Sequence, residues 1–228
     1  MYKRNLKSLV FFMGALLFVI VACQKTNGTP VVVNHTPAPA PVVEKHGTIS
    51  EISDSLLQCM KAGGSWKSNT PADLRSKLRY LRLYYVDPQG KTQRGEMIVN
   101  VSIARDVVEI FDSLYRARYP IARMVLIDEY GADDDRSMEA NNTSAFNFRM
   151  MTGSTTGRIS NHGLGLAVDI NPLWNPYVKG NVVKPKGARR TPQINRSDLA
   201  YRLFTAHGFT WGGNWRSLKD YQHFEKTK

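Results

Sequence analysis

The chain has 228 residues and a formal net charge of +12, from 31 Lys and Arg against 19 Asp and Glu. Such a surplus suits an anionic partner, whether nucleic acid, anionic lipid or an acidic polymer. Zinc-finger spacing, an RNP-like aromatic motif and a long basic helix are all missing, so no nucleic-acid partner is expected.

Lys3, Arg4 and Lys7 form a basic start, and Leu9 to Ala22 is an almost unbroken apolar run. That run falls short of the roughly 20 residues needed to span a bilayer and reads as a secretory signal over residues 1–22. Its end, Ile20-Val21-Ala22-Cys23, resembles the lipobox of bacterial lipoproteins. On that reading Cys23 is the lipidated first residue of an extracytoplasmic, membrane-anchored chain carrying a charge of +9. An ordinary signal peptide or an uncleaved anchor is the alternative. Residues 23–47 contain Thr36-Pro37-Ala38-Pro39-Ala40-Pro41 and too little apolar surface for a core, so a semi-rigid tether is expected there. Residues 48–228 are one domain by size. With Cys23 assigned to the lipid, Cys59 has no disulfide partner, and its surroundings Leu56-Leu57-Gln58-Cys59-Met60 suggest a small buried hydrophobe.

Within the domain, Arg79 to Val86 reads as an aromatic-rich strand, Asp87-Pro88-Gln89-Gly90 as a turn, and Glu96 to Asn100 as the returning strand. Ser102 is a candidate N-cap for a helix whose inner face carries Ile103, Val107, Ile110, Phe111 and Leu114, ending before Pro120. Met124 to Ile127 reads as a short strand, and Asp133-Asp134-Asp135 as part of a polar loop. A second helix starts at a Ser197 cap, buries Leu199, Leu203 and Phe204, and stops at Gly208. With no repeat and no βαβ rhythm, the fold class is α+β, a single domain with a mainly antiparallel sheet flanked by helices.

Five histidines are present; His35 and His46 lie in the tether, and His207 is placed to meet the terminal carbonyls of its helix. The chemistry concentrates in two other segments. In Ser160-Asn161-His162-Gly163-Leu164-Gly165-Leu166-Ala167-Val168-Asp169-Ile170 the alternation of Leu166, Val168 and Ile170 predicts a strand with Asp169 on its other face. A carboxylate there needs a cation or several donors. The odd separation of His162 from Asp169 would place them on opposite faces of a continuous strand, and Gly163 and Gly165 give the backbone freedom to bring them together. An imidazole and a carboxylate suit zinc, and a metal-free His–Asp pair is the alternative. Downstream, His223 supplies a third ligand, and Asp220 is spaced to act as a base on a metal-bound water. Trp211 and Trp215 are either cleft wall or core.

These residues resemble the M15 zinc peptidases, which include D-alanyl-D-alanine carboxypeptidases and L-alanyl-D-glutamate endopeptidases. Ser160, His162, Gly165, Ala167 and Asp169 match the family motif S-x-H-x-x-G-x-A-x-D, and Asp220 with His223 matches its [DE]-x-x-H behind a W-G-G-x-W segment. The resemblance implies a Hedgehog/D,D-peptidase-like fold and a single Zn2+ held by His162, Asp169 and His223. Arg149 corresponds to the family's arginine that holds substrate and oxyanion, an ion pair with a surface acid being the alternative. Ser160 is expected to bond near the ligand histidine or the substrate, or else to form a turn. The implied partners are peptidoglycan stem peptides, cut by a monomer. Several carboxypeptidases of the family have Glu where this chain has Asp220, which tilts the resemblance toward the endopeptidase branch. The S-x-x-K, K-T-G, G-x-S-x-G and H-E-x-x-H patterns are absent, which argues against serine peptidases and other zinc proteases. A zinc-containing protein that binds peptidoglycan without cutting it is the remaining alternative.

Overall fold

A computed structural model describes residues 46–151 and 157–227. The signal, Cys23 and the tether up to residue 45 lie outside the described residues. His46 and Gly47 already belong to the folded structure, since the Asp112 carboxylate of a later helix holds both the His46 ring and the Gly47 N–H (3.1 and 2.9 Å).

Strand β1 (Thr48–Ser50) pairs antiparallel with β2 (Leu78–Val86), which pairs along its whole length with β3 (Thr92–Asn100). The hairpin turn is built by Asp87, whose carboxylate accepts from the N–H groups of Gln89 and Lys91 and from the Gln93 side chain. The returning strand begins four residues earlier than its apolar pattern indicates. Thr92, Gln93 and Arg94 face solvent, but the backbone ladder does not need apolar side chains.

Between β1 and β2 lie helices α1 (Asp54–Gly63) and α2 (Leu74–Lys77). Ser53 caps α1 by accepting from Leu56 N–H, and Gly64 ends it in the left-handed region. Met60 is fully buried beside Leu56 and Leu57, one turn earlier on the same face. Cys59, turned about 100° from Met60 on the helix, is exposed rather than buried.

Helix α3 (Ala104–Arg116) buries the predicted stripe against the inner face of β2 and β3. Ser102 does not cap it; the Ser102 N–H and hydroxyl both donate to Asn100 Oδ1, and the helix starts two residues later. Met124 to Ile127 is not a strand. The Asn142 side chain accepts from Val125 N–H and donates to Val125 C=O, so one amide takes the place of a pairing strand at that residue, while Met124 C=O accepts from Glu96 N–H of β3. The acidic stretch is not all loop: Asp133 caps Arg136 N–H and opens α4 (Asp134–Glu139), where acidic residues favour the first turn.

Two further three-stranded antiparallel sheets follow. One runs β4 (Ala167–Asp169), β9 (His223–Glu225), β7 (Thr210–Trp211); the other runs β6 (Val182–Lys184), β5 (Tyr177–Lys179), β8 (Lys219–Asp220). Helix α5 (Leu199–Ala206) is capped by Asp198, one residue after the expected Ser197, and ends before Gly208 at φ 82°. His207 bonds to Asp106 of α3 rather than to helix carbonyls, and Lys226 joins the same carboxylate. The class is thus α+β with antiparallel pairing, spread over three small sheets rather than one. Among the described residues no helix is long and apolar enough to cross a membrane.

Phe204 of α5 sits where these layers meet. It stacks on Phe224 of β9 with ring centres 4.4 Å apart and meets Phe111 of α3 and Phe209 edge-on. We expect Phe204→Ala to lower unfolding free energy by about 3–5 kcal/mol, read as a shift in denaturant midpoint at unchanged slope.

A candidate metal centre in an open cleft

The register of β4 against β9 sets Asp169 directly opposite His223. Cross-strand partners project to the same side, so a carboxylate and an imidazole become neighbours without help from the loops. Asp169 Oδ1 lies 3.1 Å from His223 Nδ1. His162 arrives from the other direction on a 3-10 turn (His162–Leu164), and its Nε2 is 3.2 Å from both Asp169 Oδ2 and His223 Nδ1. The turn is held by Ser160, whose hydroxyl accepts from Gly163 N–H. It ends at Gly165, at φ 69°, where a Cβ would lie 2.7 Å from Asn100 N. The left-handed residue breaks the strand parity that would have separated His162 from Asp169.

The outer ring nitrogens are also engaged. His162 Nδ1 lies 2.6 Å from Ala145 C=O, which can only accept, so Nδ1 carries a proton and Nε2 is the nitrogen turned toward Asp169 and His223. His223 Nε2 lies 3.0 Å from Glu225 Oε2, and Asn161 Nδ2 donates to the same oxygen at 2.5 Å. Two imidazole nitrogens and one carboxylate therefore converge within 4.8 Å of one another. Partners of this kind on the far nitrogens orient histidines for metal binding.

The charges agree with that geometry. Burial works against an ionised Asp169, yet His162 and His223 hold its carboxyl well below the usual range. Burial alone would lower His223, but hydrogen bonds to Asp169 and Glu225 push it up to about 10. The hydrogen bond from His223, reinforced by Asn161 and opposed by burial, keeps Glu225 ionised. A protonated His223 between two carboxylates is a positive charge at the point where the donors converge. His162, Asp169 and His223 would present the same partners to a divalent cation in place of the Nδ1 proton, so the donor set fits a metal.

The group opens into a cleft of about 680 Å³. Asp220 lines it from β8. Burial, then the charge of Asp169, pushes Asp220 up to about 6, and Gln222 Nε2 donates to its Oδ1 at 3.1 Å. Gly212 backs this residue closely: a Cβ there would lie 2.5 Å from Asp220 C=O. Trp215 lines the cleft with its ring 5.2 Å from that of His223. Trp211 does not. It is buried, donates from Nε1 to Tyr221 C=O and packs on Tyr201 and Phe224, so it belongs to the core. Arg149 also lines the cleft; its Nε bonds Asp134 Oδ2 at 3.0 Å, while its Nη1 is buried without a hydrogen-bond partner. Cys23 lies outside the described residues. Glu225, Asn161 and Gln222 were not singled out from sequence. Glu225 was legible, because His223-Phe224-Glu225 alternates polar and apolar residues and a strand puts i and i+2 on one face.

Residues 153–226 match the D-alanyl-D-alanine carboxypeptidase family model of the M15 peptidases. The matched span contains all three converging side chains together with Asp220 and Trp215, while Arg149 and Asp134 precede it. This supports an M15-family peptidase. No solved structure matches the chain.

Two outcomes follow from the electrostatics. A divalent cation should bind one per chain with proton release and with an apparent affinity that climbs with pH, measured calorimetrically in buffers of different ionisation enthalpy; His223→Ala should abolish it. Asp220 has a folded pKa above its reference of 3.8, so its contribution to stability is greatest below that value and is lost as pH rises through about 6. Chelator-treated Asp220→Asn should therefore melt a few degrees above the parent at about pH 8, with the gap closing below about pH 4.

Proposed function

We propose that this chain is an M15-type peptidase, a zinc-dependent hydrolase that cuts an amide bond in peptidoglycan stem peptides on a D,D-peptidase-like fold. The observation that carries the reading is the convergence of His162, Asp169 and His223 beside a half-buried carboxylate, Asp220, in an open cleft. Zn2+ held by the three side chains would act as a Lewis acid toward the scissile carbonyl and make a water nucleophilic near neutral pH.

The chain's own groups supply the rest. Asp220, displaced to about 6, is mostly ionised at neutral pH yet basic enough to take a proton from the attacking water and return it to the leaving amine. Gln222 orients its carboxylate. The Arg149 guanidinium, fixed through Nε by Asp134, keeps other N–H groups for the negative charge that develops on the carbonyl oxygen. Trp215 offers an aromatic wall beside His223. The lipobox-like end of the signal suits a lipid anchor at Cys23, which would hold a monomeric domain on its tether in the extracytoplasmic space, facing the cell wall.

Digestion of purified muropeptides by the soluble domain, with and without chelator, tests this. We expect released D-alanine or cleaved stem peptides that disappear on chelation and return with Zn2+. Metal binding without any cleavage would favour the non-catalytic binder. Asp220→Ala should cut turnover by about 10²–10⁴-fold and retain the metal. The acid limb of the rate profile should fall at or below about pH 6, since a nearby cation lowers the pKa of the base. Cys23→Ser should shift the full-length chain from the membrane fraction to the soluble one.

A further inference from the structure

The third sheet adds a feature that the metal centre does not explain. Tyr177 of β5 is paired with Lys184 of β6 on one side and with Asp220 of β8 on the other. Directly opposed residues share a face, so Lys184, Tyr177 and Asp220 form one row across the sheet, and all three line the cleft. Lys179 is two residues along β5 from Tyr177, on the same face, and also lines the cleft. Two strand spacings put the Lys184 backbone about 10 Å from that of Asp220.

Lys184 reaches the opposite wall. Its ammonium lies 3.1 and 3.2 Å from the two oxygens of Asp135, at the start of α4. Both side chains are more than half exposed, so the pair contributes little in solvent and another carboxylate exchanges with Asp135 at small cost. Lys179 has no carboxylate partner among the described residues. The surrounding chain is strongly cationic: between Asp169 and Asp198 there is no acidic residue, while Lys179, Lys184, Lys186, Arg189, Arg190 and Arg196 all fall there.

We propose that Lys184 and Lys179 form a carboxylate-binding subsite, which selects acidic peptides whose free carboxylate lies two or three residues from the scissile amide. The proposal rests on the hydrolase reading above. Asp135 occupies Lys184 until the peptide's carboxylate takes its place. An extended chain advances about 3.3–3.6 Å per residue, so the roughly 10 Å between the backbones of Asp220 and Lys184 corresponds to two or three residues. A single leaving amino acid carries its carboxylate one carbon from the scissile nitrogen, too near the base to span that row. The subsite therefore suits a substrate that continues past the bond being cut.

The test uses the peptide L-Ala-γ-D-Glu-L-Lys-D-Ala-D-Ala with free carboxylates and with the D-Glu α-carboxyl, the C-terminal carboxyl, or both converted to amides. Affinity is measured by calorimetry on the Zn2+-loaded domain carrying Asp220→Ala, so that binding is read independently of turnover. We expect about tenfold tighter binding of the free acid than of one of the amides. That preference should collapse toward one in Lys184→Met/Lys179→Met and grow in Asp135→Asn, and both effects should weaken with salt. Equal affinity for every form, or an undiminished preference in the double lysine variant, would overturn the subsite. Selective binding with no cleavage by the parent enzyme would leave the subsite standing and remove the hydrolase reading instead.

Discussion

Everything at the candidate centre depends on one cross-strand pair, Asp169 opposite His223. A carboxylate buried in a short strand is unfavourable unless positive charge or donors meet it, and here two imidazoles do so at 3.1 and 3.2 Å. The pair fixes the register of β4 on β9, because a slip of β4 by one residue would turn Asp169 into the apolar core and bring Val168 out of it. The aromatic stack of Phe204 on Phe224 anchors the other face of the same strands. The polar and apolar faces of this small sheet thus specify one register between them.

A second layer holds these groups in their working orientation. Ala145 C=O selects the tautomer of His162, and Glu225, itself held by Asn161, fixes the ring of His223. Asn100 joins this layer to the larger hairpin, since its side chain donates to Leu164 C=O and its N–H to Gly165 C=O. The hairpin and α3 contribute no side chain to the centre. Their contribution is a rigid edge against which the His162 turn is closed.

Asp220 shows the tension between stability and chemistry most directly. An ionised carboxylate among buried groups and near Asp169 costs folding free energy, and the same environment gives it the basicity that a proton-transferring group needs. Gln222, buried and donating to it, offsets part of that cost. The row from Asp220 through Tyr177 to Lys184 carries the cleft away from the metal-binding group along a sheet with cationic ends. One wall thus holds a base and two lysines, and the other holds Asp134 and Asp135, each ion-paired.

The sequence by itself determined the hairpin, the buried stripe of α3, the left-handed stop of α5 and the identities of His162, Asp169, His223 and Asp220. These rest on local periodicity, turn chemistry and ligand type, which a linear reading carries. It did not determine what depends on contacts distant along the chain. Asn142 takes both backbone groups of Val125, and Met124 C=O alone bonds to β3, so no strand ladder forms from Met124 to Ile127. Asp198 rather than Ser197 caps α5, because Ser197 is bound to Asn195. Cys59 faces solvent because α1 turns Met60 inward. Trp211 and Trp215 have the same local chemistry, and only packing against Phe224 or beside His223 separates core from cleft. The convergence of His162 with Asp169 likewise came from tertiary structure: glycines permitted the turn, but its direction was set by the close fit of Gly165 against the backbone of Asn100.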